Sequence, residues 1–198
     1  MTFQSPPATL HADRPPIPSH RLGMMVFLVA ESMLFTGLLG GYLVLRYSSP
    51  MWPPEGQPLL PLWAGAANLI FLAAGSVGIQ FAVRAVRRAS HRGLIRGISA
   101  CLGAGLAFVL VLGVEWIRLR HEGLSLTEGG TYGALFYVLT GCHALHVLAV
   151  LIWVATLLAL ALRDRFSPAH HEPVEMAAMF WHFVGLAWLV LFVILYPL

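Results

Sequence analysis

Long apolar segments alternate with short polar ones along this chain of 198 residues. A helix rises about 1.5 Å per residue, so roughly 20 apolar residues cross the hydrocarbon core of a bilayer, which is about 30 Å thick. The segments that reach this length are residues 22–45, 62–83, 94–117, 132–162 and 174–196. We therefore predict an all-α integral membrane protein, a bundle of five transmembrane helices. The fourth segment is long enough to tilt or to project from the bilayer.

The composition supports a membrane protein and excludes several other classes. Hydrophobic residues make up 58% of the chain and charged residues 11%, with a mean hydropathy of +0.76. In soluble domains about a quarter of the residues are charged. No G-x-y or heptad repeat is present, which excludes collagen-like and coiled-coil proteins. Cys101 and Cys142 both lie inside apolar segments, so we expect neither a disulfide framework nor a cysteine zinc site.

Residues 1–20 are predicted to form an extended, proline-rich cytoplasmic arm ahead of a five-helix domain at residues 21–198. The arm contains five prolines but no apolar segment before a small-residue cleavage site. This pattern differs from that of a signal peptide. We therefore expect the first span to act as the insertion signal.

The basic residues, which are all arginine, predict the orientation of the chain in the membrane. Basic flanks are retained on the cytoplasmic side. Nine lie on one side: Arg14, Arg21, Arg84, Arg87, Arg88, Arg92, Arg96, Arg163 and Arg165. Three lie on the other: Arg46, Arg118 and Arg120. We predict a cytoplasmic N-terminus, a C-terminus outside and, in a bacterial host, a location in the inner membrane.

The interiors of the predicted spans contain no proline, and this separates the chain from transporters that use broken helices. Small residues at helical spacing instead predict closely packed, continuous helices. The pairs are Gly37 with Gly41, Gly75 with Gly78, Gly93 with Gly97, and Ala100 with Ala104.

Few ionisable side chains lie inside the predicted spans. A charge at the centre of a transmembrane helix costs roughly 2.5–3.5 kcal/mol on translocon scales, so each such group needs a partner or a function. Glu31 and His182 lie about nine residues from the predicted cytoplasmic side, which places them at a similar depth. The other candidates are Glu115, His143, His146 and Glu175.

His143 and His146 are close enough in sequence to share one face of a helix. Together with a carboxylate such as Glu31 they could ligate a metal between helices, and haem ligation also stays open. Alternatively, they could form hydrogen bonds to neighbouring helices or contact lipid head groups. We favour the hydrogen-bonding interpretation.

Glu31 also has two interpretations. It is either a single buried carboxyl group bonded to a neighbour such as a histidine, or one step of a proton pathway. A pathway needs protonatable groups that reach both faces, and only Glu115 and His182 offer continuations. We therefore favour the single buried carboxyl group.

Several motifs, taken in order, resemble subunit III of haem–copper oxidases. The strongest are TGCHALHV at residues 140–147 and FWHF at residues 180–183, which contains Trp181 and His182. Further likenesses are FLVAESMLF at residues 27–35, Glu115-Trp116, EGGTYG at residues 128–133, and His170, His171 and Glu175 before the last span. Together they cover residues 21–198 and are similar to the short, five-helix form of the cytochrome c oxidase subunit.

The resemblance implies an accessory subunit with no catalysis of its own and no haem or copper in this chain. Members of this family pack beside the catalytic subunit I, which carries the haem and copper, and hold phospholipids in a cleft between helix groups. They are thought to sustain proton uptake and to protect the enzyme from inactivation. Glu31 would face the cleft or subunit I, while His143, His146 and His182 would be polar contacts between helices. Glu175 and the arginines of the second loop would lie near cytoplasmic lipid heads.

Gly185 marks a departure from the family's pattern, which commonly has Asp three residues after the last-span histidine. Quinol oxidases and the subunit-III-like partner of nitric oxide reductases share much of the same pattern, so membership of either complex stays open. An intramembrane metalloenzyme and a proton carrier are possible functions from different classes. We expect no nucleic-acid partner.

Overall fold

The computed structural model describes residues 19–127 and 129–196. These residues form five helices: α1 (Ser19–Ser48), α2 (Leu62–Arg87), α3 (His91–His121), α4 (Gly130–Ala161) and α5 (Glu172–Leu195). Each helix is long and apolar enough to cross a membrane. The prediction of an all-α bundle of five such helices is therefore confirmed. The predicted arm lies outside the described residues except for its last two, which begin α1, and so does Glu128 of the EGGTYG motif.

Contacts at the helix ends show that successive helices run in opposite directions. At one end, Arg21 near the start of α1 and Arg87 at the end of α2 both contact Glu175 near the start of α5. At the other end, Arg46 near the end of α1 donates to the backbone carbonyl of Ile194 near the end of α5. We call the first the arginine-rich end. The second, which carries the connection of residues 49–61, is the proline-rich end.

Helices α2 to α5 form a ring in which each helix packs against two neighbours, and the α2–α3 interface is the most extensive. Helix α1 lies outside this ring, against α4 and α5. Within the described chain, the buried residues of α1 are Phe35 and Tyr42. The fold is therefore a four-helix core with a fifth helix on its surface.

Glycines allow α2 and α3 to pack backbone to backbone. A Cβ atom at Gly97 would lie 2.6 Å from the backbone nitrogen of Ala82, and one at Gly78 would lie 3.0 Å from that of Cys101. A larger side chain at either position would force the two helices apart. This is the close packing that the small-residue spacing predicts.

The glycine pair of α1 does not pack in this way. A Cβ atom at Gly37 or Gly41 would meet nothing within 4 Å. Both residues lie away from Phe35, which is buried in the contact with α4 and α5. The expectation of close packing at this pair is therefore wrong for contacts inside the described chain.

Two buried tryptophans of α5 fill the ring. The indole of Trp181 lies against Gly75 of α2 and Gly105 of α3, and its N–H donates to the carbonyl oxygen of Leu72 at 3.2 Å. The Trp188 N–H donates to the carbonyl oxygen of Gly65 at 3.1 Å. Each indole thus contributes apolar contact and also pairs a donor that hydrocarbon would leave unpaired.

We expect Gly75→Ala to destabilise the bundle, because the added Cβ atom would overlap the Trp181 ring. Overpacking a core typically costs ~1–3 kcal/mol, and we expect a loss of that size in the free energy of unfolding measured by denaturant titration in detergent micelles. Gly103→Ala in α3 is the control, since a Cβ atom there meets nothing within 4 Å. Equal stability of the two variants would contradict the packing of Trp181 against α2.

Candidate functional site

A carboxyl–imidazole pair joins α1 to α4 inside the apolar part of the bundle. Glu31 Oε2 lies 2.8 Å from His146 Nε2, and the two side chains are 19% and 14% exposed. His146 Nδ1 lies 2.7 Å from the carbonyl oxygen of Cys142. Because a carbonyl only accepts, Nδ1 carries a proton. A single proton then lies between Nε2 and the carboxyl group, and the pair is either an ion pair or a neutral acid bonded to a neutral imidazole.

His143, one helical turn away, has entirely different surroundings. It is fully buried, and its ring centroid lies 6.1 Å from that of Phe35, 5.6 Å from that of Phe108 and 5.1 Å from that of Trp188. Neither of its ring nitrogens has a hydrogen-bond partner among the residues described. His143 therefore lies inside the ring of α2 to α5, whereas His146 lies at its border with α1.

The other predicted residues are not gathered around this pair into a metal site. Across residues 19–127 and 129–196, no three His, Cys, Asp or Glu side chains are placed to hold one metal ion. His182 Nε2 lies 3.4 Å from Gln80 Oε1 of α2, and Trp181 packs inside the ring. Glu31 and His182 were predicted to lie at a similar depth, but each bonds to a different partner and they do not bond to each other.

Glu115 lies near the proline-rich end of α3 and is 1% exposed. Its carboxylate oxygens lie 2.9 Å and 3.0 Å from the hydroxyl oxygen of Tyr196, which donates to them. Its neighbour Trp116 donates from Nε1 to Thr140 Oγ1 of α4 at 3.2 Å. The Glu115-Trp116 motif thus ties α3 to the end of α5 and to α4.

At the arginine-rich end, Glu175 contacts three basic side chains, which we call together the Glu175 cluster. Its carboxylate lies 2.5 Å from Nη2 of Arg21, 2.5 Å from Nη2 of Arg87 and 2.9 Å from Nε2 of His171. The carboxylate is 8% exposed, whereas the two arginines are 44% and 52% exposed. Since one carboxylate faces two guanidinium groups, the cluster keeps a net positive charge.

Two cavities adjoin the Glu175 cluster. One of about 440 Å³ extends along α5 between α1 and α2, and its further lining residues include Met25, Gln80, Val83, Ala178, Met179 and His182. The other, of about 510 Å³, lies on the side of His20, Pro168, His171 and Glu172. A largely apolar groove and a polar, outward-facing cavity therefore meet at one positively charged cluster.

The sequence predicted a histidine as a partner of Glu31, but it did not predict the partners of Glu115 and Glu175. Arg21 and Glu175 are far apart in the chain, and so are Tyr196 and Glu115. The arginine count predicted a side of the membrane but no individual ion pair. A local signal existed only for His171 and Glu175, whose i,i+4 spacing places them on one helical face.

These features define a class: a multi-pass helical membrane protein whose ionisable side chains pair between helices. Comparison with known proteins then identifies the family. The model of the family described as cytochrome c oxidase subunit III matches residues 15–198. The chain belongs to the cytochrome c oxidase subunit III family, as its motifs indicate.

Individual relatives agree with the family match. The cytochrome c oxidase subunit 3 of Synechocystis sp. is 36% identical over 179 residues, which cover 89% of this chain and 74% of that protein. The subunit 3 of Thermostichus vulcanus is 35% identical over 184 residues, covering 89% and 86%. That of Sus scrofa is 32% identical over 186 residues, covering 89% and 68%. The similarity therefore extends over most of each protein.

We expect Glu31 and His146 to be energetically coupled. In a double-mutant cycle with Glu31→Leu and His146→Leu, the coupling should be roughly 0.5–2 kcal/mol, the range of hydrogen bonds between membrane helices. Unfolding titrations of the four proteins in micelles measure it. A second cycle that pairs Glu31→Leu with His143→Leu is the control and should give a smaller coupling, because His143 does not bond to Glu31. If the two cycles give the same coupling energy, the result would contradict a bond between Glu31 and His146.

Proposed function

We propose that this chain is an accessory subunit of a proton-translocating haem–copper oxidase of the cytochrome c type, and that oxygen reduction takes place in a neighbouring subunit I. The observation that carries this proposal is the family match across residues 15–198. In this role the chain supplies no catalytic residue and no ligand to haem or copper. It supports the stability of subunit I and its uptake of protons.

We propose that subunit I packs beside α1, close to Glu31. Helix α1 is the helix least covered by the rest of the described chain, and Gly37 and Gly41 leave its outer face open. A helix so placed suits contact with a larger membrane partner. The Glu31–His146 pair, which is partly exposed at this border, then holds an exchangeable proton near that partner.

We propose that the arginine-rich end faces the cytoplasm and that the C-terminus lies outside. The concentration of arginine at that end supports this orientation. In a bacterial host the membrane is the inner membrane. Protons taken up from the cytoplasm would then approach from the side of the Glu175 cluster.

The names of the relatives favour a cytochrome c oxidase over a quinol oxidase or a nitric oxide reductase. Two observations on the described residues weigh against an intramembrane metalloenzyme and against a proton carrier. A metalloenzyme needs several side chains that ligate one metal ion, and among those residues no three His, Cys, Asp or Glu side chains are placed to do so. For a proton carrier, the expected continuations Glu115 and His182 bond to Tyr196 and Gln80 and not to the Glu31 pair.

We expect Glu31→Ala to leave the haem content of the oxidase unchanged but to reduce the number of turnovers that it completes before inactivation. The reason is that the variant removes a proton-holding group beside subunit I while leaving every haem ligand in place. Optical haem spectra and oxygen-consumption traces run to exhaustion measure the two quantities. Glu122→Ala, at a surface carboxylate that follows α3, is the matched control. Loss of the haem spectrum, or an unchanged catalytic lifetime, would contradict the proposal.

We also propose that a phospholipid occupies the groove between α1 and α2. The groove is largely apolar along α5 and ends at the positively charged Glu175 cluster. It therefore suits a phospholipid whose acyl chain lies along α5 and whose phosphate group lies at the cluster. Anionic lipids are attracted by about 1 kcal/mol for each nearby arginine. Arg21 and Arg87 are the groups that would hold the phosphate.

We expect Arg21→Gln combined with Arg87→Gln to weaken binding of phosphatidylglycerol by about 2 kcal/mol, because two basic contacts are lost. Lipid titration followed by native mass spectrometry measures the affinity. Arg84→Gln combined with Arg88→Gln removes the same charge from the same end of α2 without touching the groove, so that control should bind as the natural chain does. Equal weakening in both double variants would leave only a general charge effect and contradict a site at the groove.

A further inference from the structure

A cavity of about 740 Å³ lies at the proline-rich end, on α3, and is lined by residues of α3, α4 and their connection. It is separate from the groove at the Glu175 cluster, which lies at the opposite end and on other helices. The residues that matter for its chemistry are Gly113, Trp116, Ile117 and Arg120 of α3, Thr127 of the connection and Tyr137 of α4.

Hydrogen bonds fix the aromatic wall of this cavity. The rings of Trp116 and Tyr137 lie edge to face, with centroids 5.5 Å apart. The Trp116 N–H donates to Thr140 Oγ1, and the Tyr137 hydroxyl donates to the carbonyl oxygen of Leu124 at 2.8 Å. Both polar atoms therefore bond within the protein, and the Leu124 contact holds the α3–α4 connection against α4. The cavity thus has a preformed wall of aromatic rings.

The cavity changes from apolar to basic along α3. Gly113 leaves open space, since a Cβ atom there would meet nothing within 4 Å, and Ile117 is 62% exposed. Arg120 lies about 10 Å further along the helix axis than Gly113, in its last turn. Within the described residues Arg120 has no ion pair, whereas the neighbouring Arg118 pairs with Glu122 at 2.7 Å. A ligand that fits this arrangement carries an apolar chain and an anionic group about 10 Å apart.

We propose that this cavity binds an anionic glycerophospholipid from the leaflet at the proline-rich end. The phosphate group lies at Arg120 and one acyl chain runs over Gly113 and Ile117, against the rings of Trp116 and Tyr137. Tryptophan and tyrosine favour the membrane interface, and arginine attracts anionic lipid there. A volume of this size is also within the range of ligand sites, roughly 300–1,000 Å³. This site does not depend on the oxidase role proposed above.

The test uses the full chain in nanodiscs of phosphatidylglycerol and phosphatidylcholine, with retained lipids counted by native mass spectrometry. We expect the natural chain to retain phosphatidylglycerol in preference to phosphatidylcholine. Arg120→Gln should weaken that retention about fivefold, and Gly113→Leu should abolish it at this site by filling the space for the acyl chain. Arg120→Lys keeps the charge and should keep the lipid, which separates the loss of charge from a loss of folding.

Two matched controls come from the same helix. Arg118→Gln removes an arginine that pairs with Glu122, and Gly103→Leu adds a side chain at an open position that does not line this cavity. Both should retain phosphatidylglycerol as the natural chain does. Equal retention by all the variants, or no preference for phosphatidylglycerol over phosphatidylcholine, would overturn the proposal. So would retention by Gly113→Leu at the natural level, which would mean that no acyl chain occupies the space over Gly113.

Discussion

Hydrocarbon offers no hydrogen-bond partners, so a polar side chain inside a membrane helix is stabilised when it pairs with another helix or with its own backbone; His143, which aromatic rings enclose, is an exception among the described residues. This constraint accounts for most of the contacts that give the bundle its arrangement. Glu31 meets His146, Glu115 meets Tyr196, and the buried indoles of α5 donate to carbonyl groups of α2. Each contact pairs a polar group and joins two helices at the same time, so helix arrangement and polar pairing are not independent.

The helices of the ring and the fifth helix are buried to different extents, and this difference bears on function. The ring is packed by large aromatic side chains against glycines. Helix α1 packs on it through apolar and aromatic side chains such as Phe27 and Phe35 and also makes polar contacts at three levels. These are Arg21 with Glu175, Glu31 with His146, and Arg46 with the carbonyl of Ile194. Because few of its side chains are buried within the described chain, α1 keeps a wide apolar face for the membrane or a partner. The Glu31–His146 pair lies at the border between the ring and α1, where we propose that subunit I packs.

Much of the fold could be predicted from the sequence, because span length and close glycine packing are properties of local segments. The glycines between α2 and α3 follow from spacing, but the same spacing in α1 failed, since nothing local tells which face of a helix meets a neighbour. The spacing of His143 and His146 predicted a shared helical face. It did not predict that one imidazole is enclosed by aromatic rings while the other reaches α1. Such differences depend on tertiary packing between segments distant in the chain.

We propose above all that this polypeptide holds no redox centre and works beside a subunit that holds one. Purification of the tagged chain in mild and then in harsher detergent, with haem and metal counted per chain at each stage, tests it most directly. We expect a haem-bearing complex with a larger subunit in mild detergent, and a chain free of iron and copper once it is separated from that complex. Metal retained in stoichiometric amount by the separated chain, and lost on His146→Leu, would contradict it.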